Sequence, residues 1–307
     1  MKEKGHDIIV TSRDKDITLQ LLDKFGIEHE CLSKQRKGKL NLLIEFTIRY
    51  FKLKKRCKQF KPDILLGVHG PVISLVGKHL NFLSYILYDN ETFKFNYLIY
   101  KWCTNYLTPE CFEKDYGEKQ IRYPGFHQSF FLHPSRFKPN YDLVEYKGLQ
   151  VKEYIVVRFV SFESSHDGGC TGIKDKLGFI KKLEQFGKFI ITSEKPLPEA
   201  FEKYRFPADI TEIHHILAGA KLVVSESSTM CAESAFLSTP SVYISNSKRG
   251  FTNELDKKYG LVYNFDSEEG VIEKIPEILN QDYATKRIEL LKNTIDMTDW
   301  LIEFIEK

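Results

Sequence analysis

Short apolar runs alternate with amphipathic stretches along most of the chain. Each apolar run of three to six residues predicts a buried strand, and the stretches between them, such as Asp16–Phe25, have helical periodicity. The predicted strands are Ile8–Thr11, Ile64–Val68, Ser84–Tyr88, Tyr106–Thr108, Tyr154–Phe159, Lys188–Thr192, Leu222–Ser225 and Ser241–Ile244. This alternation predicts an α/β fold with parallel sheets, in which ligands bind beyond the carboxyl ends of strands.

The pattern lapses between His133 and Gly148, where prolines and polar residues replace the periodicity. We interpret this stretch as a linker between two domains. From Glu268 to Lys307 the pattern predicts two or three helices.

Composition narrows the class of protein. The chain has 307 residues, of which 42% are hydrophobic, and a formal net charge of +3, which does not indicate nucleic-acid binding. Its six cysteines are scattered without metal-ligand spacing, no apolar run approaches the ~20 residues of a membrane span, and no signal peptide is recognisable. We expect a cytoplasmic protein with reduced thiols and no bound metal.

The segment 34–61 is strongly basic, with Glu45 as its single acid. Apolar residues are interleaved with the charges, namely Leu40, Leu43, Ile44, Phe46, Tyr50, Phe51 and Leu53. A surface helix that packs its apolar residues on the sheet is the favoured interpretation. The alternative is a basic amphipathic helix in peripheral contact with an anionic membrane.

The stretch Leu222–Ser245 is the most informative one for function. Its strand leads directly into a predicted helix start, where free backbone N–H groups and the helix dipole favour a phosphate. Ser227, Ser228, Thr229 and Met230 form this start, and Glu233 follows about one turn later. The alternative is plain N-capping by serine. Glu226 counts against an anion unless its carboxylate points away.

Other loops that follow strands contain further candidates. In the second half these are Arg158 at its strand end, then His166, Asp167, Gly168 and Gly169 in a glycine-rich loop, then Ser193 and Glu194. Such a loop allows close approach to a pyrophosphate, although glycines also mark flexible turns. In the first half, His69 follows Ile64–Val68, and Asp89 and Glu91 follow Ser84–Tyr88. Two carboxylates can share acid and base roles, or form a polar turn.

In this order the loops resemble those of the GT-B superfamily of nucleotide-sugar enzymes. More closely, the chain resembles a GT-B-like family known by the domain-of-unknown-function number 354. The matching stretches are KGHDIIVTSRD, FKPDILLGVHGP, YDNE, VVRFVSFESSHDGG, ITSEKPLPE and DITEIHHILAGAKLVVSESSTMCAESAFLSTPSVYIS. The resemblance implies two Rossmann-like domains, at 1–135 and 150–290, with a cleft between them, and a last segment, 291–307, that crosses back to the first domain.

The resemblance also implies roles for individual residues. Ser228 and Thr229 would face the diphosphate and Glu233 the ribose, while Ile210 would seat the base. Arg158 and the glycine-rich loop would line the same pocket, and neither a metal nor a cofactor would be required. Two departures stand out. The family usually has glycine in place of Ser228, and by comparison with the family we expect the chain to start late, with a truncated first domain that lacks its first strand.

The expected function is therefore metal-independent glycosyl transfer from a nucleotide diphosphate sugar to an unidentified acceptor. His69, Asp89, Glu91 and His166 are the candidate catalytic residues. A UDP-N-acetylglucosamine 2-epimerase-like enzyme is the first alternative, because VHGP is similar to that family's V-x-G-D-T loop. A non-catalytic nucleotide-sugar-binding protein is the second.

Overall fold

The chain folds into two compact units. The computed structural model describes residues 1–36, 38–92, 96–160, 172–193 and 197–307. Unit 1 comprises Met1–Glu110 and Lys114–Tyr123, and unit 2 comprises Cys111–Glu113 and Pro124–Lys307. Both units are built from parallel strands and helices, so the predicted α/β class is confirmed.

Unit 1 contains two parallel sheets. Its strands are β1 (Val10–Asp14), β2 (His29–Lys34), β3 (Ile64–Val68), β4 (Leu83–Leu87), β5 (Asn105–Pro109) and β6 (Gln120–Tyr123), and its helices are α1 (Thr18–Lys24), α2 (Lys39–Phe60), α3 (Pro71–Leu80) and α4 (Asn96–Trp102). One sheet pairs β1 with β2, and the other has the order β3-β4-β5-β6. Among the described residues, no strand joins β1 to β3, so unit 1 has no single continuous sheet.

A small hydrophobic cluster connects the two sheets of unit 1 through helices α2 and α3. Its buried members are Leu32, Leu53, Cys57, Leu65, Val72 and Val76. They come from β2, α2, β3 and α3, since α2 packs on β2 and on α3, and α3 in turn packs on β3 and β4. Lys61 caps the carboxyl end of α2. It adopts a left-handed conformation (φ 54°) and turns the chain into β3.

Unit 2 contains one five-stranded parallel sheet with the order β11-β10-β9-β7-β8. Its strands are β7 (Ile155–Arg158), β8 (Phe189–Thr192), β9 (Leu222–Ser225), β10 (Ser241–Ile244) and β11 (Val262–Phe265). Its helices are α5 (Ser129–Leu132), α6 (Tyr141–Tyr146), α7 (Lys176–Leu183), α8 (Glu199–Glu202), α9 (Ile213–Gly219), α10 (Ser228–Phe236), α11 (Gly250–Lys257), α12 (Val271–Leu279), α13 (Tyr283–Lys292) and α14 (Met297–Glu306). Every residue of β8, β9 and β10 is buried, as expected for a parallel sheet with helices on both faces.

Several segments differ from the sequence-based expectation. Strands β2, β6 and β11 were not predicted, and β1 begins two residues later than the predicted strand Ile8–Thr11. The presumed linker contains helix α6, which Asn140 caps by accepting a hydrogen bond from the Leu143 N–H. Helix α6 packs on α9, and Val144 is its buried apolar residue. A single buried residue is too isolated to produce a visible helical period, which is why the sequence did not predict this helix.

The C-terminal stretch does form three helices, and the last of them, α14, packs on α5 within unit 2. In the described ranges, no helix is long and apolar enough to cross a membrane.

Candidate functional site

The carboxyl ends of the central strands of unit 2 lie at one edge of the sheet. Arg158, the last residue of β7, is in register with Thr192 of β8 and Ser225 of β9, and Ser225 is in register with Tyr243 of β10. The loops that follow these strands therefore emerge side by side. This edge is where parallel α/β sheets bind ligands.

Helix α10 begins at this edge with two available backbone donors. Ser225 Oγ accepts a hydrogen bond from the Ser227 N–H at 2.8 Å, and Ser227 caps the helix by accepting from the Met230 N–H at 3.4 Å. Within the described parts of the chain, the N–H groups of Ser228 and Thr229 have no protein acceptor. Plain N-capping and two free backbone donors are thus both present, on successive residues. Free donors at a helix start are the groups that can bind an anion.

Glu226, which counted against an anion site, points away from the helix start. Its side chain is fully buried and accepts hydrogen bonds from the N–H groups of Val160 and Ile173, both at 2.9 Å. Lys176 Nζ also lies 3.0 Å from its Oε1 atom. A Cβ atom at Gly172 would overlap this carboxylate, so a larger residue there would require the Glu226 side chain to shift. The negative charge of Glu226 is therefore neutralised inside the protein.

A second cation at this edge was not predicted from the sequence. Arg249 follows β10, is 6% exposed, and donates hydrogen bonds to Ser247 Oγ and the Lys248 carbonyl. Burial raises the pKa of Tyr243, although the charge of Arg249 and hydrogen bonding with Ser228 act against that shift. Tyr243 thus interacts with both Arg249 and Ser228, the first residue of α10. Like Arg158, Arg249 is a cation close to the carboxyl end of a predicted strand, so the same sequence signal points to it.

Glu233 lies on the second turn of α10 and faces α9. Its Oε2 atom is 3.5 Å from His214 Nε2, and its side chain remains partly exposed. The His214 ring also contacts Phe131 and Phe137, which fix its position. Ile210, the predicted base-binding residue, is partly buried in the turn just before α9. The structure therefore places Ile210 on the segment that packs beside Glu233.

The remaining predicted donor-side residues are distributed differently. Met230 is buried in the hydrophobic core, and its N–H is engaged by the Ser227 cap, so this residue supports the helix start. Ser193 follows β8 at the same edge as Arg158. His166, Asp167, Gly168, Gly169 and Glu194 lie outside the described residues.

In unit 1, the structure brings two of the predicted catalytic residues together. His69 follows β3, and Asp89 follows the neighbouring strand β4. Their Nε2 and Oδ1 atoms are 3.7 Å apart, and the His69 ring packs on Tyr88 with 4.3 Å between centroids. His69 has φ 56°, a left-handed conformation that is uncommon for residues other than glycine. Such backbone strain is frequent at functional sites.

Glu91 is placed differently from Asp89. It is 6% exposed, and its backbone carbonyl accepts a hydrogen bond from Lys114 Nζ at 2.7 Å. Burial raises the pKa of Tyr116, and the charge of Glu91 adds to this shift. Asp89, which is more exposed and lies beside an imidazole, is therefore better placed than Glu91 to take part in proton transfer.

The described residues contain no group of three or more His, Cys, Asp or Glu side chains arranged to hold a metal ion. Arg158 and Arg249 supply positive charge at the unit 2 edge.

Comparison with known sequences identifies the family. A sequence profile described as "Protein of unknown function (DUF354)" matches residues 1–305. The chain belongs to this family. No curated protein matches it in sequence.

Solved structures share the fold of this DUF354 chain. UDP-GlcNAc 2-epimerase from Neisseria meningitidis, solved with UDP-GlcNAc, aligns with a TM-score of 0.68 and 13% identity over 99% of this chain and 94% of its own. The spinosyn forosaminyltransferase SpnP aligns with a TM-score of 0.65 and 10% identity, over 100% and 93% of the two chains. MurG from Acinetobacter baumannii aligns with a TM-score of 0.59 and 12% identity, over 99% and 92%.

These neighbours are GT-B glycosyltransferases and UDP-GlcNAc 2-epimerases. Their similarity shows that this DUF354 protein has a GT-B-like fold with two Rossmann-like domains. At such low identity the similarity shows the fold alone.

Proposed function

We propose that this protein binds the diphosphate of a nucleotide sugar at the carboxyl edge of the unit 2 sheet and acts as a GT-B-type glycosyltransferase. The observation that supports this most is the pair of unengaged N–H groups at Ser228 and Thr229, at the start of a helix whose neighbouring carboxylate is turned inward. The helix dipole and the two arginines, Arg158 and Arg249, supply the positive charge that a diphosphate requires.

The proposed role of Glu233 is to accept hydrogen bonds from paired ribose hydroxyls. A carboxylate has about four lone-pair sites, so its contact with His214 leaves acceptor capacity for a ligand. During transfer, the leaving diphosphate gains negative charge, which Arg158, Arg249 and the α10 N–H groups would stabilise without a metal. His69, oriented by Asp89, is the proposed base from unit 1.

The diphosphate contact can be tested by removing a single N–H group. Ser228 is the first residue of α10, and Ser227 before it is extended, so proline at 228 fits both the helix and its predecessor. Ser228→Pro removes the donor, whereas Ser228→Ala keeps it and removes only the hydroxyl. By calorimetry with UDP, GDP and dTDP, we expect Ser228→Pro to weaken binding by about 1.5–3 kcal/mol and Ser228→Ala to have a much smaller effect.

Equal affinity for the two variants would contradict the helix-start contact, provided that both are folded by circular dichroism. Glu233→Ala should also weaken binding by about 1.5–3 kcal/mol. Its matched control is Glu273→Ala, an exposed glutamate on α12, which should leave affinity unchanged. If no nucleotide diphosphate binds the wild-type protein, the proposal fails.

The 2-epimerase reaction is the second candidate, because the solved neighbours include a 2-epimerase with UDP-GlcNAc bound. Incubation of the bound nucleotide sugar in D₂O separates the two. Deuterium at the sugar C2 position without an acceptor would show epimerisation, and release of nucleotide only when an acceptor is added would show transfer. Loss of either reaction in His69→Ala, with nucleotide affinity retained, is the expected result for a base in unit 1. Binding without any turnover would support a non-catalytic nucleotide-sugar-binding protein.

A further inference from the structure

Helix α2 of unit 1 exposes a row of large apolar side chains. Leu40 is 72% exposed, Leu43 is 62% exposed and Phe51 is 61% exposed, and Ile44 and Ile48 are also exposed. We refer to Leu40, Leu43, Ile44, Ile48 and Phe51 as the α2 stripe. This finding corrects the favoured sequence-based interpretation for Leu40, Leu43, Ile44 and Phe51. The other apolar residues named in that interpretation, Phe46, Tyr50 and Leu53, do pack on the hydrophobic cluster of unit 1. Side chains this large and this exposed on one helix indicate a surface that binds something.

The opposite face of α2 is firmly attached to the protein. Leu53 and Cys57 belong to the hydrophobic cluster of unit 1, and Glu45 is 2% exposed. Tyr50 OH lies 2.6 Å from His79 Nδ1 of α3, which fixes a further turn. The apolar stripe is therefore held outward by packing on the other side, rather than exposed by a helix that lacks a partner.

The exposed side of α2 is cationic, because the only acid of the segment is buried. Glu45 accepts hydrogen bonds from Arg13 and Ser33, and Arg49 lies 3.7 Å away. Burial by itself would raise the pKa of Glu45, but these hydrogen bonds and the charges of Arg49 and Arg13 outweigh it and lower the pKa. Glu45 thus stays ionised and neutralised inside the protein. The exposed lysines of α2 are Lys39, Lys52, Lys55 and Lys58.

Helical spacing places apolar and basic side chains on the same face. Leu40, Ile44 and Phe51 are separated by four and seven residues, and Lys55 and Lys58 lie four and seven residues beyond Phe51. Residues at these spacings share one face of a helix. The amino-terminal half of this face is apolar, and its carboxyl-terminal half is positively charged.

We propose that the α2 stripe and the adjacent lysines bind an anionic lipid bilayer, so that unit 1 attaches to a membrane surface. A bilayer offers acyl chains to Leu40, Leu43 and Phe51, and phosphate groups to Lys52, Lys55 and Lys58. The proposal concerns a surface of unit 1 and is independent of the nucleotide site proposed for unit 2.

The charge distribution favours lipid over a second copy of the chain. In a parallel pairing of two α2 faces, lysines would meet lysines. In an antiparallel pairing over the full length, the lysines of one copy would meet the apolar half of the other. Both arrangements cost free energy, whereas an anionic bilayer complements both halves of the face at once.

The test is flotation of the full chain with vesicles of phosphatidylcholine alone or of equal parts phosphatidylcholine and phosphatidylserine. We expect binding only to the anionic vesicles, and release at about 1 M salt, where charges are screened beyond ~3 Å. The triple variant Lys52→Glu/Lys55→Glu/Lys58→Glu should reduce partitioning at least about 10-fold. The triple variant Leu43→Ser/Ile44→Ser/Phe51→Ser should reduce it to a similar extent.

Matched controls lie on exposed positions of unit 2. Lys181→Glu/Lys182→Glu/Lys257→Glu changes the charge equally, and Ile288→Ser removes an exposed isoleucine from α13. Normal partitioning of the controls, together with loss in both α2 variants, would support the proposal. Three results would overturn it: no binding to anionic vesicles, equal binding to neutral vesicles, or a wild-type dimer in light scattering that the α2 variants convert to a monomer. Circular dichroism identifies any variant that does not fold.

Discussion

The sheets of the two units differ in how completely they are buried. In unit 2, every residue of β8, β9 and β10 is buried, and one hydrophobic core surrounds the five strands. In unit 1, the strands are divided between two sheets, and β3 alternates between buried Leu65 and exposed Leu66 and Val68. Parallel strands normally have both faces covered. The exposed apolar residues of β3 are therefore unusual for such a sheet.

This difference indicates separate physical roles for the two units. The edge of unit 2 holds its polar groups on a fully packed scaffold, which suits the precise contacts of the diphosphate site proposed for it. Unit 1 keeps His69 and Asp89 on a less completely buried sheet and exposes apolar side chains on α2. We expect unit 1 to be the less stable of the two and the one that adapts to partners.

The largest expected effect comes from removing a core side chain in unit 2. Phe236 is fully buried and packs edge-on against Phe126, so Phe236→Ala should lower the free energy of unfolding of unit 2 by about 3–5 kcal/mol. Leu66→Ala in unit 1 should cost about 1 kcal/mol or less, because Leu66 is 38% exposed.

Each unit can be followed separately, because the chain has two tryptophans, Trp102 in unit 1 and Trp300 in unit 2. Urea unfolding of Trp300→Phe reports unit 1, and that of Trp102→Phe reports unit 2. We expect the lower midpoint for unit 1. Coincident urea midpoints, with equal shifts caused by Phe236→Ala in both reporters, would show that the two units unfold as one. That result would contradict the expectation that unit 1 is the less stable unit.

A smaller effect is expected from the two buried carboxylates, one in each unit. Glu226→Ala leaves the N–H groups of Val160 and Ile173 and the ammonium of Lys176 without their acceptor. Removing one partner of a buried ion pair costs about 3–5 kcal/mol. Because Lys176 is partly exposed, we expect Glu226→Ala to destabilise unit 2 by about 3 kcal/mol, the low end of that range. Glu45→Ala should destabilise unit 1 by about 1–3 kcal/mol.

The same pair separates stability from binding. Glu226 accepts hydrogen bonds from Val160 and Ile173, which lie on either side of residues 161–171 in the sequence. Its loss should therefore also weaken nucleotide binding, whereas Glu45→Ala should leave affinity unchanged. The nucleotide affinity of both variants can be measured by calorimetry at a temperature where both remain folded. Weaker binding in Glu45→Ala as well would mean that the effect follows from general destabilisation.

The smallest expected effect is a pH dependence confined to unit 2. Burial lowers the pKa of His215, and the positive charge of His214 adds to this shift. The unfolded chain then binds more protons than the folded one just below the ordinary histidine pKa of about 6.5, so the free energy of unfolding falls as the pH drops through that value. His215→Asn should flatten this dependence in urea unfolding followed by Trp300. Identical pH profiles for wild type and variant would assign the dependence to other groups.

The sequence was most informative where local pattern and tertiary environment agree. The strands Leu222–Ser225, Ser241–Ile244 and Ile64–Val68 were predicted with their observed bounds, since each is a compact apolar run. Strand β2 was missed because the run His29–Lys34 is mostly polar, and only Leu32 in it is buried. Its strand character depends on pairing with β1, which is not visible in its own residues.

The sequence alone determined the α/β class, the family and the loops at the strand ends, because these depend on short-range patterns of apolar and polar residues. Tertiary structure decided the rest. It turned Glu226 inward, paired Glu233 with His214, brought Arg249 close to Tyr243, and set the apolar residues of α2 outward. These outcomes depend on which surfaces meet across long separations in the chain. Helical spacing shows that apolar residues share a face, but packing decides whether that face is covered.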